Sequence, residues 1–161
     1  MATHVISGAI GVDLTKVTTS AEFLPGTKVD LSDGGSAVYC QAASEISQYA
    51  AVSMFQDNTV QMLTTTTAGT TKRVGFSDAV SVASGSYAWI RTSGRPVVNL
   101  AANCADQVIL FTTATSGVLD DATVSACLVA GVTSTVTISN ATAITCIVPD
   151  GAYVHPFVNP A

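Results

Sequence analysis

The stretch from Lys72 to Asp121 reads KRVGFSDAVSVASGSYAWIRTSGRPVVNLAANCADQVILFTTATSGVLDD. Short apolar or alternating runs sit in it: Tyr87 to Thr92, Pro96 to Ala101 and Gln107 to Thr112. Each is bounded by turn chemistry, at Ser84-Gly85-Ser86, Ser93-Gly94-Arg95, Asn103 to Asp106 and Ser116-Gly117. Runs of this length, rich in Val, Ile, Tyr, Trp and Phe and punctuated by Gly, Ser and Asn, predict strands. Their sequence order suggests a β-meander, the wall of a small barrel or sandwich. Gly75, inside a strand pattern, predicts a bulge or a close approach of another group.

Outward from this stretch the same punctuation continues. Thr27 to Leu31 alternates polar and apolar, Asp33-Gly34-Gly35 is a hairpin turn, and Ala37 to Ala42 is the returning strand. Ala43 to Tyr49 reads either as a capped helical turn or as a loop, and the short, evenly punctuated pieces around it favour strands. Ala51 to Gln56 and Thr59 to Leu63 flank a turn at Asp57-Asn58, and Thr64 to Thr71 is a Thr-rich connector. Thr135 to Ser139 and Ala143 to Val148 read as a hairpin around Asn140-Ala141. Helical periodicity is nowhere sustained. The expected class is therefore all-β, a small antiparallel β-barrel or sandwich with extended N- and C-terminal arms. Residues 1–22 are the N-terminal arm, 23–151 the barrel or sandwich, and 152–161 the C-terminal tail. That tail, AYVHPFVNPA, contains Pro156 and Pro160 and reads as a segment unable to be a central strand.

Composition narrows the function. Only 11% of the 161 residues are charged while 48% are apolar, against a usual charged share of roughly 25%. So few charges leave apolar and Ser/Thr-covered faces that copies of the chain or a larger partner would bury. The net charge of −5 argues against a nucleic-acid partner. The uncharged span Ala122 to Pro149 is too rich in Thr and Ser, and too alternating, to be a membrane helix. No secretory signal is expected, because no Lys or Arg precedes the apolar start.

No catalytic constellation, cofactor motif or metal motif is legible. His4 and His155 stand in opposite terminal segments, without a nucleophile at a motif spacing. Cys40, Cys104, Cys127 and Cys146 lack zinc spacing and sit among small apolar residues, as buried cysteines do. Asp33, Asp57 and Asp150 sit beside turn residues, where aspartate bonds the backbone. Asp120-Asp121 reads as a solvated turn, and Asn140-Ala141-Thr142 is a formal glycosylation sequon. Trp89 and Tyr87 lie two apart and share a strand face. They are read as core and core edge, with a contact patch that includes Arg91 and Arg95 as the competing reading. Possible partner contacts are Arg91, Arg95, Tyr153, His155 and Phe157.

The run from Phe23 to Asp121 resembles the small capsid decoration, or head-stabilising, proteins of tailed bacteriophages. The resemblance rests on FLPGTKVDLSDGGSAVYCQAASEISQYAAVSM and on VGFSDAVSVASGSYAWIRTSGRPVVNLAANCADQVILFTTATSGVLDDA. Gly75, Gly85, Tyr87, Trp89, Gly94, Cys104, Ala105, Thr112, Thr113, Gly117, Leu119 and Asp120 occupy the matching places. Ala88 stands where Gly is common, Ala50 where Asp is common and Phe111 where Tyr is common. The resemblance implies an all-β, non-enzymatic virion protein, made in the host cytoplasm and placed on the outer surface of a phage head. Its partners would be the major capsid protein and itself, as a homotrimer, with the terminal arms carrying contacts. The alternative is a fibre or spike module that binds a receptor or glycan, with an exposed Trp89 as its stacking platform.

Overall fold

The computed structural model describes residues 12–69, 73–122 and 127–155. These residues are all-β. The strands in chain order are β1 (Val17–Thr18), β2 (Lys28–Asp30), β3 (Ser36–Ala42), β4 (Ile46–Ser47), β5 (Ala51–Met54) and β6 (Thr59–Met62). After a 3-10 turn at Thr67–Gly69 come β7 (Arg73–Ser77), β8 (Ser81–Val82), β9 (Tyr87–Arg91), β10 (Val97–Leu100) and β11 (Leu110–Thr112). The last are β12 (Leu119–Asp120), β13 (Leu128–Ala130), β14 (Thr133–Ser134), β15 (Thr142–Ile147) and β16 (Ala152–His155).

A barrel closes in the order β3-β6-β5-β7-β9 and back to β3. All its pairings are antiparallel except β3–β6, where Gln41 and Ala42 run parallel to Thr59 and Val60. Val38, Cys40, Val52, Met54, Val60 and Ile90 fill the interior. β4 and β8 pair with each other, and Ile46 and Val82 add to the same core. The second half is a sheet in the order β16-β13-β11-β12-β10-β15-β14, joined to the barrel through β7–β16. Its core gathers Val98, Leu100, Leu110, Leu119, Val129 and Val148.

β7 is the wall between these cores. Val74 and Phe76 point into the second core. Gly75 points into the barrel, where an added Cβ would stand 2.4 Å from Ile90 Cγ2 and 2.9 Å from Met54 Sδ. The close approach expected at this glycine is therefore present, and it is made by side chains. β7 is buried on both faces, so its run Val-Gly-Phe-Ser shows no polar alternation.

A third cluster lies on the outer face of β3 and β9. Tyr39 and Trp89 are 2% and 4% exposed there, with Val12, Leu14, Val29, Leu31 and Tyr87 packed around them. Phe23 meets both rings edge-on, with centroids 5.4 Å from Tyr39 and 5.2 Å from Trp89, and Tyr87 stacks on Tyr39 at 5.8 Å. Tyr39 Oη bonds Thr18 Oγ1 at 2.8 Å and accepts the Glu22 N–H. Residues 12–22 are thereby laid on the barrel, and Val17–Thr18 pairs with Ala88 and Tyr87. Residues 1–11 lie outside the described residues.

The structure corrects parts of the sequence reading. The strands at Tyr87, Val97 and Leu110 exist but do not form a meander. β9 joins β1, β3 and β7, β10 joins β12 and β15, and β11 joins β12 and β13. The links between them are too irregular for hairpins: Gly94 bridges to Val148, and Asn103 and Gln107 adopt φ of 66° and 53°. In the hairpin expected around Asn140 the first strand does not form at Thr135 to Ser139; it lies earlier, as β14 at Thr133–Ser134, opposite Ile147 and Cys146. Residues 135–141 leave the ladder, because the Ile138 N–H bonds Cys104 O and Thr137 Oγ1 meets Asp106. The reading of the C-terminal tail fails at its start. β16 pairs on one side with β13 and on the other with β7, so residues 152–155 are an interior strand. The prolines that excluded this begin only at Pro156, and 156–161 lie outside the described residues.

Candidate interaction surfaces

A polar groove of about 360 Å³ opens where β2 and the β2–β3 turn face the start of β7 and the turn into β16. Lys28 and Asp30 stand on one side, Arg73 and Tyr153 on the other, with Asp150 at the turn. The alternation Thr-Lys-Val-Asp-Leu sets the first wall. Val29 and Leu31 pack into the outer aromatic cluster, so Lys28 and Asp30 face the other way and remain exposed. The floor is held by hydroxyls: Ser36 Oγ lies 2.9 Å from both Thr92 Oγ1 and Ser93 Oγ.

Beside this groove, Arg91 is committed internally. Its Nε donates to Asp78 Oδ2 at 3.2 Å, and its Nη1 donates to Asp33 Oδ2. Its side chain is only 14% exposed. One guanidinium thus ties the β2–β3 turn and the β7–β8 turn to the end of β9. Burial alone would push the Asp33 carboxyl upward, but the Gly35 N–H, Arg91 and the Arg95 N–H outweigh it, and its pKa is lowered.

Of the residues expected as partner contacts, Arg91 is therefore unsuited. Arg95 is exposed, and its main chain serves Asp33. Tyr153 is 48% exposed at the groove. His155 is exposed at the end of β16 opposite Leu128. Phe157 lies outside the described residues. Trp89 belongs to the aromatic core, as its favoured reading held, and is no platform for a ligand. Sequence reasoning passed over Lys28 and Asp30. The signal was present in their alternation with Val29, but their location beside Arg73 and Tyr153 depends on contacts distant in sequence.

Several apolar side chains are exposed. Leu24 is 80% exposed beside the aromatic cluster, Val80 70% on the β7–β8 turn, and Ile109 62% before β11. Val136 and Ile147 are also exposed, near the β14–β15 pair.

Cys104, Asp120 and Asp121 bring their ligand atoms within 4.8 Å of one another. The solvated turn expected at Asp120-Asp121 is not what forms: Asp120 ends β12 opposite Phe111, and both carboxylates are partly buried because they serve main-chain N–H groups. Asp121 Oδ2 accepts the Ala105 N–H and Asp120 Oδ1 accepts the Asp121 N–H. Burial and the adjacent carboxylates push the Cys104 thiol up to about 11, so on its own it is protonated at neutral pH. Burial likewise pushes Cys40 and Cys146 up to about 12.

No family model matches the chain, and no curated protein matches it in sequence.

Proposed function

We propose that this chain is a structural protein of a bacteriophage virion, a decoration or cement protein on the outer surface of the head. In this role it bridges major capsid subunits, with no enzymatic step. The observation that carries the reading is the placement of its bare apolar side chains. Leu24, Val80 and Ile109 are largely exposed on the connections of a frame whose own cores are closed. Side chains held out in this way by a rigid scaffold suit shallow contacts with several neighbours. Contacts too weak alone add through effective concentration once one copy touches more than one subunit. The low charge and the sequence resemblance point the same way.

The arms take a narrower part than their length suggests. Residues 12–22 hold the aromatic cluster and 152–155 join the two halves, while Tyr153, His155 and the exposed connections remain open to neighbours. The receptor- or glycan-binding alternative loses its stacking platform, because Trp89 is 4% exposed. The deciding experiment is copy number in purified virions by quantitative mass spectrometry against the major capsid protein. A simple fraction of the capsid copy number is expected. A handful of copies per particle, or absence from it, overturns the proposal.

A further inference from the structure

We propose that β2 is a self-complementary edge through which two copies of this chain pair across a two-fold axis, antiparallel and centred on Val29. The inference is independent of the virion reading.

It begins with the ladder between β2 and β3. Their register places Val29 opposite Ala37. The Leu31 N–H bonds Gly35 O at 2.8 Å, and the Tyr39 N–H bonds Thr27 O at 2.9 Å. In an antiparallel pair the hydrogen-bonded residues alternate with non-bonded ones. Thr27, Val29 and Leu31 therefore turn their main-chain groups toward β3, and Lys28 and Asp30 turn theirs away. On that outer side, β2 pairs with no strand among the described residues.

The side chains make this edge specific. Natural edges are commonly guarded by a lysine that repels a second strand. Here the lysine is followed two residues later, on the same face, by an aspartate, and both are exposed. Neither belongs to an ion pair among the described residues. An antiparallel copy centred on Val29 sets Lys28 opposite the other copy's Asp30, and Asp30 opposite its Lys28. The outward N–H and C=O groups of Lys28 and Asp30 then bond each other across the axis, and opposite charges meet in each pair. Val29 meets Val29 as a non-bonded pair, with Cα atoms about 4.5 Å apart. Any other register loses the charge match.

A contact this small forms weakly in solution and is best trapped covalently. A Cα separation of about 4.5 Å falls in the range that a disulfide spans. The experiment uses the full chain with Cys127→Ser, which removes the one partly exposed cysteine, and adds Val29→Cys. Trp89 fluorescence checks the fold of every variant. Mild oxidation is expected to give a dimer band on a non-reducing gel. Leu31→Cys is the register control: its two copies would lie about 14 Å apart in this pairing and should not cross-link. Adding Lys28→Asp or Asp30→Lys to Val29→Cys opposes like charges, and cross-linking should fall roughly fivefold or more in each variant alone. Mixing those two variants opposes Asp with Lys in both pairs, so cross-linking should return as a heterodimer resolved by mass. No dimer from Val29→Cys, equal dimer from Leu31→Cys, or yields indifferent to the charge changes and their mixing would each overturn the pairing.

Discussion

A methyl group on Gly75 would stand 2.4 Å from Ile90 Cγ2, inside the distance at which two carbon atoms can coexist. Gly75 lies on the strand shared by both cores, so neither side has room to yield. Gly75→Ala should destabilise the fold by about 1–3 kcal/mol through overpacking. Urea unfolding checks this, and with Ile90→Ala, which removes Cγ2, the double variant should lose less than the sum of the two single changes. Additive losses would show that the clash is not with Ile90.

Arg91 holds two carboxylates from different turns, and its removal leaves the partly buried Asp78 and the more exposed Asp33 without a counter-charge. Arg91→Met should cost about 2–3 kcal/mol, below the figure for a fully buried pair because Asp33 retains solvent. Asp33→Asn in the Arg91→Met background should cost much less than in the wild type, which a double-mutant cycle measures.

Acid unfolding should carry opposite signs from two aspartates. The folded pKa of Asp33 lies below its ordinary value, so its stabilisation is present above about pH 4 and is lost as pH falls toward the folded pKa. Asp120 is shifted upward by burial, with the Asp121 charge adding to it, so its ionisation opposes folding as pH rises through the carboxylate range. Asp33→Asn should therefore flatten the acid limb of stability against pH. Asp120→Asn should raise stability at neutral pH while keeping an acceptor for the Asp121 N–H.

Thiol reactivity should separate the cysteines. Cys40, Cys104 and Cys146 are buried and their thiols are pushed up to about 12, 11 and 12. In the native protein at pH 8 these should react with an aromatic disulfide reagent only as fast as the fold opens, and all four cysteines should react promptly in denaturant. Fast native labelling of Cys40 would contradict its place inside the barrel.

Truncation tests the place of β16. Removing the chain from residue 152 onward should unfold the second half, because β13 and β7 then lose the strand between them. Far-UV circular dichroism with thermal melting reads the outcome.

Local chemistry was legible where it was self-sufficient. Asp33-Gly34-Gly35 makes its turn through groups within a few residues, with Gly34 at φ 81° and the Gly35 N–H on Asp33 Oδ1 at 3.0 Å. Trp89 announces a core because a ring of that size is buried in almost any β-fold. The all-β class followed from the same local signals. Lys28 and Asp30 were visible as an alternation but not as a surface, and Arg91 looked like a free contact because its acidic partners are 13 and 58 residues away.

The sequence by itself determined that this chain is all-β, where most strands and turns fall, and that its charge is too sparse for a wholly polar surface. Only the tertiary structure decided which strand lies beside which: that β3 and β6 run parallel to close the barrel, that β9, β10 and β11 separate, and that the start of the C-terminal tail becomes an interior strand. The reason is physical. Ladder hydrogen bonds are made by main-chain groups that every strand shares, so a run of Val and Thr states that it will pair without stating with whom. The partner is selected by the simultaneous burial of both cores across β7, which no single segment encodes.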